Sequence, residues 1–363
     1  MSLKNLLIIS TASLLWSCVN NNEQNVDDFD IESLLVNAAD NIIIPQLKDL
    51  HESTVEIENA FSDFEINSNS DNLSKLQSKF KNSYLSWQAA SFVNFGNSNF
   101  EIFSYTLNTF PVDTQNLVSI FSKPDANLES SIYFNAISYP GFDFAFFQGN
   151  EDEIIKRISI DGKNYCKKNI DLIKSKSESA YLFWKNNTDG YYNEFKSDLS
   201  KTDGSPFSAY VNAFCKDLEV LKNEQLKAPG GQEFFIFPLP YESEALYSGY
   251  SLDLIKAHID NLERIYKGDD LSGNAGIGFD DYLKSLETKT DGKDLNELIL
   301  STFSTIKEKA NLLNETLNYA AANQKEIVDE LYANVKLLVG YTKTDMTYAF
   351  GINISYADPQ DGD

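Results

Sequence analysis

The chain reads as an all-α protein, two helical bundles packed in series, and three observations predict this. Apolar residues recur at spacings of three and four along most of the 363 residues. Runs with the alternation of a half-buried strand are scarce. Turn signals at Asp189-Gly190 and Thr202-Asp203-Gly204-Ser205 gather near the middle, so the joint should lie near 186–205, with one bundle over 30–190 and the second over 191–363.

Residues 1–17 read as an export signal. Lys4 supplies a positive start, and Leu6–Trp16 is apolar but too short to span a bilayer as a helix. Leu15-Trp16-Ser17-Cys18 resembles a bacterial lipobox, in which Cys18 is lipidated and becomes the mature N-terminus; a plain secretory signal with an incidental cysteine is the alternative. On the lipobox reading the membrane is a partner through a lipid on Cys18. Val19 is not the Asp associated with inner-membrane retention in enteric bacteria, which points to the outer membrane, facing either the periplasm or the outside. Residues 18–29 are polar and acidic without periodicity and make a flexible tether.

A helical pattern begins at Ile31 with Leu34, Leu35, Ala38 and Ile42, and Pro45 should kink or break it. Leu73, Leu76, Phe80, Tyr84 and Trp87 mark a second helix, capped by Asp71 or Asn72. Residues 100–135, with Pro111 and Pro124, suggest short helices and loops. Glu151–Trp184 makes one or two helices. Pro206 opens another, with Phe207, Val211, Phe214, Leu218 and Leu221 on one face. Ala228–Tyr241 is an irregular connection. Ser251 is placed to cap a helix carrying Ile255, Ile259 and Leu262, with Asp253 in its first turn. Phe279–Leu286, Leu295–Tyr319 and Ile327–Thr342 complete the set.

Acidic residues outnumber basic ones by 54 to 30, a net charge of −24. That excludes nucleic acid and an anionic bilayer as electrostatic partners and suits cations or a basic ligand; acidic solvated helix faces give the same balance. Cys166 and Cys215 could form one disulfide or remain two buried thiols. The two histidines, His51 and His258, form no zincin pair, and no nucleophile elbow, P-loop or Rossmann fingerprint is present. Each histidine alone reads as a surface or core residue.

Two patches could carry chemistry. In Ile137–Gly149 a single carboxylate, Asp143, follows a Pro140-Gly141 turn signal and sits among Phe142, Phe144, Phe146 and Phe147. If buried it needs a partner. In Tyr241–Ser251, Glu242 and Glu244 accompany Tyr247, Ser248, Tyr250 and Ser251. This oxygen-rich loop could hold a hard cation; alternatively Ser248 and Ser251 cap a helix, the glutamates are solvated and the tyrosines pack.

Together these stretches resemble the imelysin family of iron-regulated, peptidase-like lipoproteins. Asn37–Pro45 is similar to the family's opening helix, Trp87-Gln88-Ala89-Ala90 through Phe95-Gly96 to its Trp-x-x-Ala…Phe-Gly segment, and Pro140–Phe147 to its Pro-x-x-Glu-Tyr-Leu-Leu-Phe pattern. Glu244 with Tyr247–Leu252 resembles the second-half signature, and Asp361-Gly362-Asp363 the family's endings. The resemblance implies two packed helical bundles with a site at their junction, and a Gly-x-His-x-x-Glu motif proposed to bind metal. Here those positions are Ser138, Pro140 and Asp143, so the imidazole is replaced by a residue that cannot ligate. The candidate ligand-binding set is therefore Ser138, Asp143, Glu244, Ser248 and Ser251, with Asp143 and Glu244 as oxygen ligands for iron or calcium, or as the residues of any catalysis. The expected function is a ligand- or metal-binding envelope lipoprotein linked to iron acquisition, leaning away from an enzyme. A metal-dependent peptidase and a scaffold with a decayed site are the alternatives.

Overall fold

The computed structural model describes residues 29–97 and 103–356. Cys18, tether residues 19–28 and Asp361-Gly362-Asp363 lie outside them. Helices dominate, and the one strand pair among the described residues is a hairpin, Lys289–Thr290 against Lys293–Asp294. Its turn is Asp291-Gly292, both residues at positive φ, as a two-residue hairpin turn requires.

Helix α1 (Ile31–Asn37) runs through a π-helical turn, Ala38–Ile43, into α2 (Ile44–Ile66). Pro45 neither breaks nor ends this rod. The wider turn lets Ile44 N–H donate to Ala39 O, so the register shift falls just where proline withdraws its donor. Three residues then lead into α3 (Ser70–Ala90). Its cap is Asn69, which accepts from Asn72 N–H at 3.0 Å, rather than the expected Asp71 or Asn72. Beyond three short helical pieces comes α4 (Ser138–Phe147), where Pro140-Gly141 lies inside the first turn and not in a separate turn. Gly141 is required there: a Cβ would fall 2.0 Å from the Tyr165 hydroxyl, which donates to Ala136 O.

Helix α5 (Lys163–Lys185) packs on α2, as does α3. Left-handed Asn187, Asp189 and Gly190 and the short helix Tyr191–Ser197 lead to α6 (Pro206–Val220), capped by Ser205. A π-helical turn, Leu221–Lys227, extends α6. Helix α7 (Ser251–Lys267) packs against α3 and against α8 (Leu295–Leu312), which pairs with α9 (Lys325–Gly340). The single helix expected over Leu295–Tyr319 is two: Glu315 is left-handed, and Thr316 caps a new helix, Leu317–Asn323. Leu313 and Leu317 stay buried across that break, so the apolar stripe is continuous although the helix is not. Ser251 is the first helical residue, not the cap, because its hydroxyl donates backward to Glu244 O.

One buried cluster runs from Ile31 to Ile352. Polar side chains stitch the α2/α3 pair to α7: Gln46 Nε2 donates to Asn261 Oδ1 at 2.7 Å, and Asn261 Nδ2 to Ala89 O at 3.0 Å. Cys166 and Cys215 are free thiols, each buried in this core, and burial pushes both well above the usual range. Among the described residues no helix is long and apolar enough to cross a membrane.

Candidate functional site

The aromatic stretch of α4 buries Asp143 to 2 % exposure. Its partners come from the segment before α7: Tyr247 N–H donates to Oδ2 at 2.7 Å and Ser248 N–H to Oδ1 at 3.0 Å. Burial raises the carboxyl to about 6 against the pull of the Ser248 hydroxyl and both backbone donors, while Glu244's charge adds to the rise. Asp143 thus staples α4 to the Tyr241–Tyr250 segment. Tyr247 and Tyr250 reinforce the join, their rings set edge-on to Phe144 and Phe147 at 5.2 and 5.4 Å.

Glu244, also 2 % exposed, is held by three side-chain amides. Gln88 Nε2 and Asn108 Nδ2 donate to Oε1 at 2.6 and 2.7 Å, and Gln225 Nε2 to Oε2 at 2.6 Å. Burial raises this carboxyl too, and the donors and His258 oppose the rise. The ring draws on distant parts of the chain: Gln88 from α3, Asn108 from the segment after Phe103–Leu107, and Gln225 from the π-turn. Asn108 Oδ1 in turn accepts from Tyr84 Oη at 2.6 Å.

Beyond Gln225 the chain of bonds has a fixed sense. Its amide nitrogen faces a carboxylate, so its Oε1, 2.9 Å from His258 Nδ1, must accept, and that ring nitrogen carries a proton. The other, Nε2, meets Asp217 Oδ2 at 2.8 Å. Burial would lower the imidazole's pKa, yet Asp217, with Glu244 and Glu224, carries it above the ordinary value. His258 is therefore a buried imidazole bonded at both nitrogens, its charged form favoured by the carboxylates on either side.

This network floors a cavity of about 490 Å³, walled by Trp87, Tyr105, Phe110 and Phe235 and bordered by Glu224, Glu242 and Lys216. Glu224 is exposed to the cavity yet closely surrounded by protein. Burial first, then the charges of Glu244 and Asp217, push it up to about 7 despite Lys216 and His258. A smaller hollow of about 200 Å³ opens at Pro140, Asp143, Ser243 and Tyr247.

Of the residues expected to form one site, Asp143, Glu244, Ser248 and Ser251 do meet, but mainly through each other's backbone. Ser138, fully buried with φ at 54°, is bound through its backbone to Asn169 and has an unpartnered hydroxyl. As a metal site the pair Asp143 and Glu244 does not fit: every carboxylate oxygen already accepts from an N–H donor. Among the described residues no three His, Cys, Asp or Glu side chains converge as ligands. The cavity residues Asp217, Glu224 and Gln225 escaped the sequence reading, and His258 was read there only as a surface or core residue. The available signal was a polar residue on an apolar stripe, as in Ile255-x-x-His258-Ile259 and Phe214-x-x-Asp217-Leu218.

The architecture is shared with solved proteins. An imelysin-like protein from Psychrobacter arcticum 273-4 superposes with a TM-score of 0.66 at 15% identity, covering 89% of this chain and 96% of that one. A protein from Parabacteroides distasonis ATCC 8503, described as an iron-regulated protein A precursor, gives 0.60 at 13% identity, covering 86% and 95%. Such identities establish the fold alone. No curated protein matches the chain. The sequence model of the Imelysin family matches residues 43–338, and the chain belongs to the imelysin family.

Proposed function

We propose that this protein is a lipid-anchored binding protein of the cell envelope, holding a small, positively charged organic ligand in the cavity above Glu244. Glu224 carries the proposal: it brings a carboxyl to the cavity beside Glu242, and Glu244 and Asp217 behind it leave negative charge that Lys216 and His258 only partly balance. A ligand cation beside Glu224 relieves that repulsion, and Trp87, Phe110 and Phe235 offer it aromatic faces. A volume near 490 Å³ suits a metabolite-sized ligand.

A link to iron is supported by the likeness to the iron-regulated Parabacteroides protein, and the lipid anchor and outer-membrane address by Leu15–Cys18 and Val19. Binding, not peptide hydrolysis, is the reading that the side chains favour. His258 has both ring nitrogens engaged and offers no free base to activate a water.

Calorimetry at pH 7 with agmatine, arginine and spermidine, beside ferric, ferrous, zinc and calcium ions, tests this in two buffers of different ionisation enthalpy. Binding of an organic cation should release up to about half a proton as Glu224, near 7 and so about half protonated at this pH, ionises fully, and Glu224→Gln should abolish the release and weaken binding roughly tenfold. Metal ions alone binding would replace the organic ligand with a metal; no binding by any probe removes the proposal.

A further inference from the structure

We propose that the loop Gly231–Tyr241 is a finger that inserts into a phospholipid surface beside the cavity mouth. Four apolar side chains leave the protein here: Phe234 is 87 % exposed, Ile236 95 %, Phe237 65 % and Tyr241 57 %. No charged residue lies between Glu233 and Glu242. A concentration of exposed apolar residues of this kind marks an interaction site.

The finger is held out, not collapsed. Gly231, at φ 67°, lies so close to the returning strand that a Cβ would sit 2.6 Å from Pro238 N. Leu239 N–H donates to Ala228 O at 3.0 Å, closing the neck. Gln232 Nε2 donates to Asp329 Oδ1 at 2.7 Å, and Glu233 takes Lys227 and Lys336, both at 2.8 Å, so the base is charged and fixed. Phe235 alone turns inward, to the cavity wall. Apolar tips above a hydrated, ion-paired base match the layering of a bilayer interface, and Tyr241 is suited to the headgroup level. The exposed tips carry no charge between Glu233 and Glu242, which favours lipid over the mixed polar rim of a folded partner.

The chain outside the described residues brings a bilayer within reach, and here the inference rests on the proposed lipidation of Cys18. Phe29 stacks on Tyr282 at 4.6 Å and Tyr282 on Phe350 at 4.4 Å. Phe350 ends the helical run that contains Lys336, so about 21 Å of helix separates it from the finger's base. The eleven residue-to-residue steps from Cys18 to Phe29 can span about 38 Å, enough for anchor and finger to share one surface.

Two variants of residues 18–363 made with Cys18→Ser, hence without the export signal, its Trp16 or a lipid, test the finger separately from the anchor. With Ile236→Trp, tryptophan emission should shift to the blue on phosphatidylcholine vesicles and be quenched by brominated acyl chains; native Trp87 and Trp184 are buried and report little. Vesicle partition should fall at least tenfold in Phe234→Ser/Ile236→Ser/Phe237→Ser, with an unchanged urea transition, and should be weaker on anionic vesicles because of the net charge of −24. Absence of quenching, or partition unaffected by the triple substitution, overturns the proposal. Self-association abolished by the triple substitution, without vesicle binding, would reassign the finger to contact between copies of the chain. The mass of Cys18 in native membranes reports lipidation independently; an unmodified Cys18 removes the anchor and leaves the vesicle result standing.

Discussion

Ser138 occupies the position of the family motif's glycine, and its φ of 54° gives that glycine a physical reason. A side chain in this region costs about 1 kcal/mol, and the buried hydroxyl finds no partner. Ser138→Gly should therefore raise unfolding stability by about 1 kcal/mol in urea titrations, leaving ligand binding unchanged. Asp143 has the opposite balance. Removing its side chain strands the amides of Tyr247 and Ser248, so Asp143→Ala should lose about 3 kcal/mol. The need of Asp143 for a partner was legible in its aromatic surroundings; the partners, being backbone amides 104 and 105 residues away, carry no side-chain signature. Gln88, Asn108 and Gln225 could not be connected to Glu244 from sequence, since each is an ordinary polar residue until the helices are assembled.

At the level of elements, helix faces were legible and helix ends less so. The stripe Ile306, Ala310, Leu313, Leu317 predicts burial and all four are buried, yet the same stripe hides the break at Asn314–Thr316. A burial pattern can continue across a reoriented chain because the core constrains where side chains point, not how the backbone is bonded. Thr316 accepts from Tyr319 N–H at 3.2 Å, so Thr316→Ala should cost about 1 kcal/mol, and Glu315→Gly should gain somewhat less by relieving the left-handed residue. Both are measurable by urea denaturation. The π-turn Leu221–Lys227 is another such case: it supplies Gln225 and Glu224 to the cavity, and no residue type in Leu-Lys-Asn-Glu-Gln-Leu-Lys announces a wider turn.

Across the whole molecule, the buried acids and the imidazole act in one direction with pH. Asp143 at about 6 and Glu224 at about 7 lie above ordinary carboxyls, and Glu244 and His258 are also raised. Each binds its proton more firmly folded than unfolded. For Asp143 and Glu224 the contribution is full below pH about 4 and is lost as pH rises through 6 to 7, whereas for His258 it is full throughout the acid range and is lost only above the ordinary imidazole value. The urea midpoint should therefore fall between pH 5 and pH 8, and Glu224→Gln should shrink the fall. Glu233, drawn down to about 2 by its two lysines, works the other way but only in stronger acid. The class of fold was legible throughout, because periodicity and the want of strands are properties of whole segments. The placement of the joint near 186–205 was drawn from turn signals alone, and the bonds from Gln88 and Asn108 to Glu244 reach across it. That ring has a genealogical consequence. A crossover between two imelysin genes at the joint would bring together amides and a glutamate that never met in either parent, so the halves are expected to be inherited as a pair, and chimeras should fail unless Gln88 and Asn108 travel with Glu244.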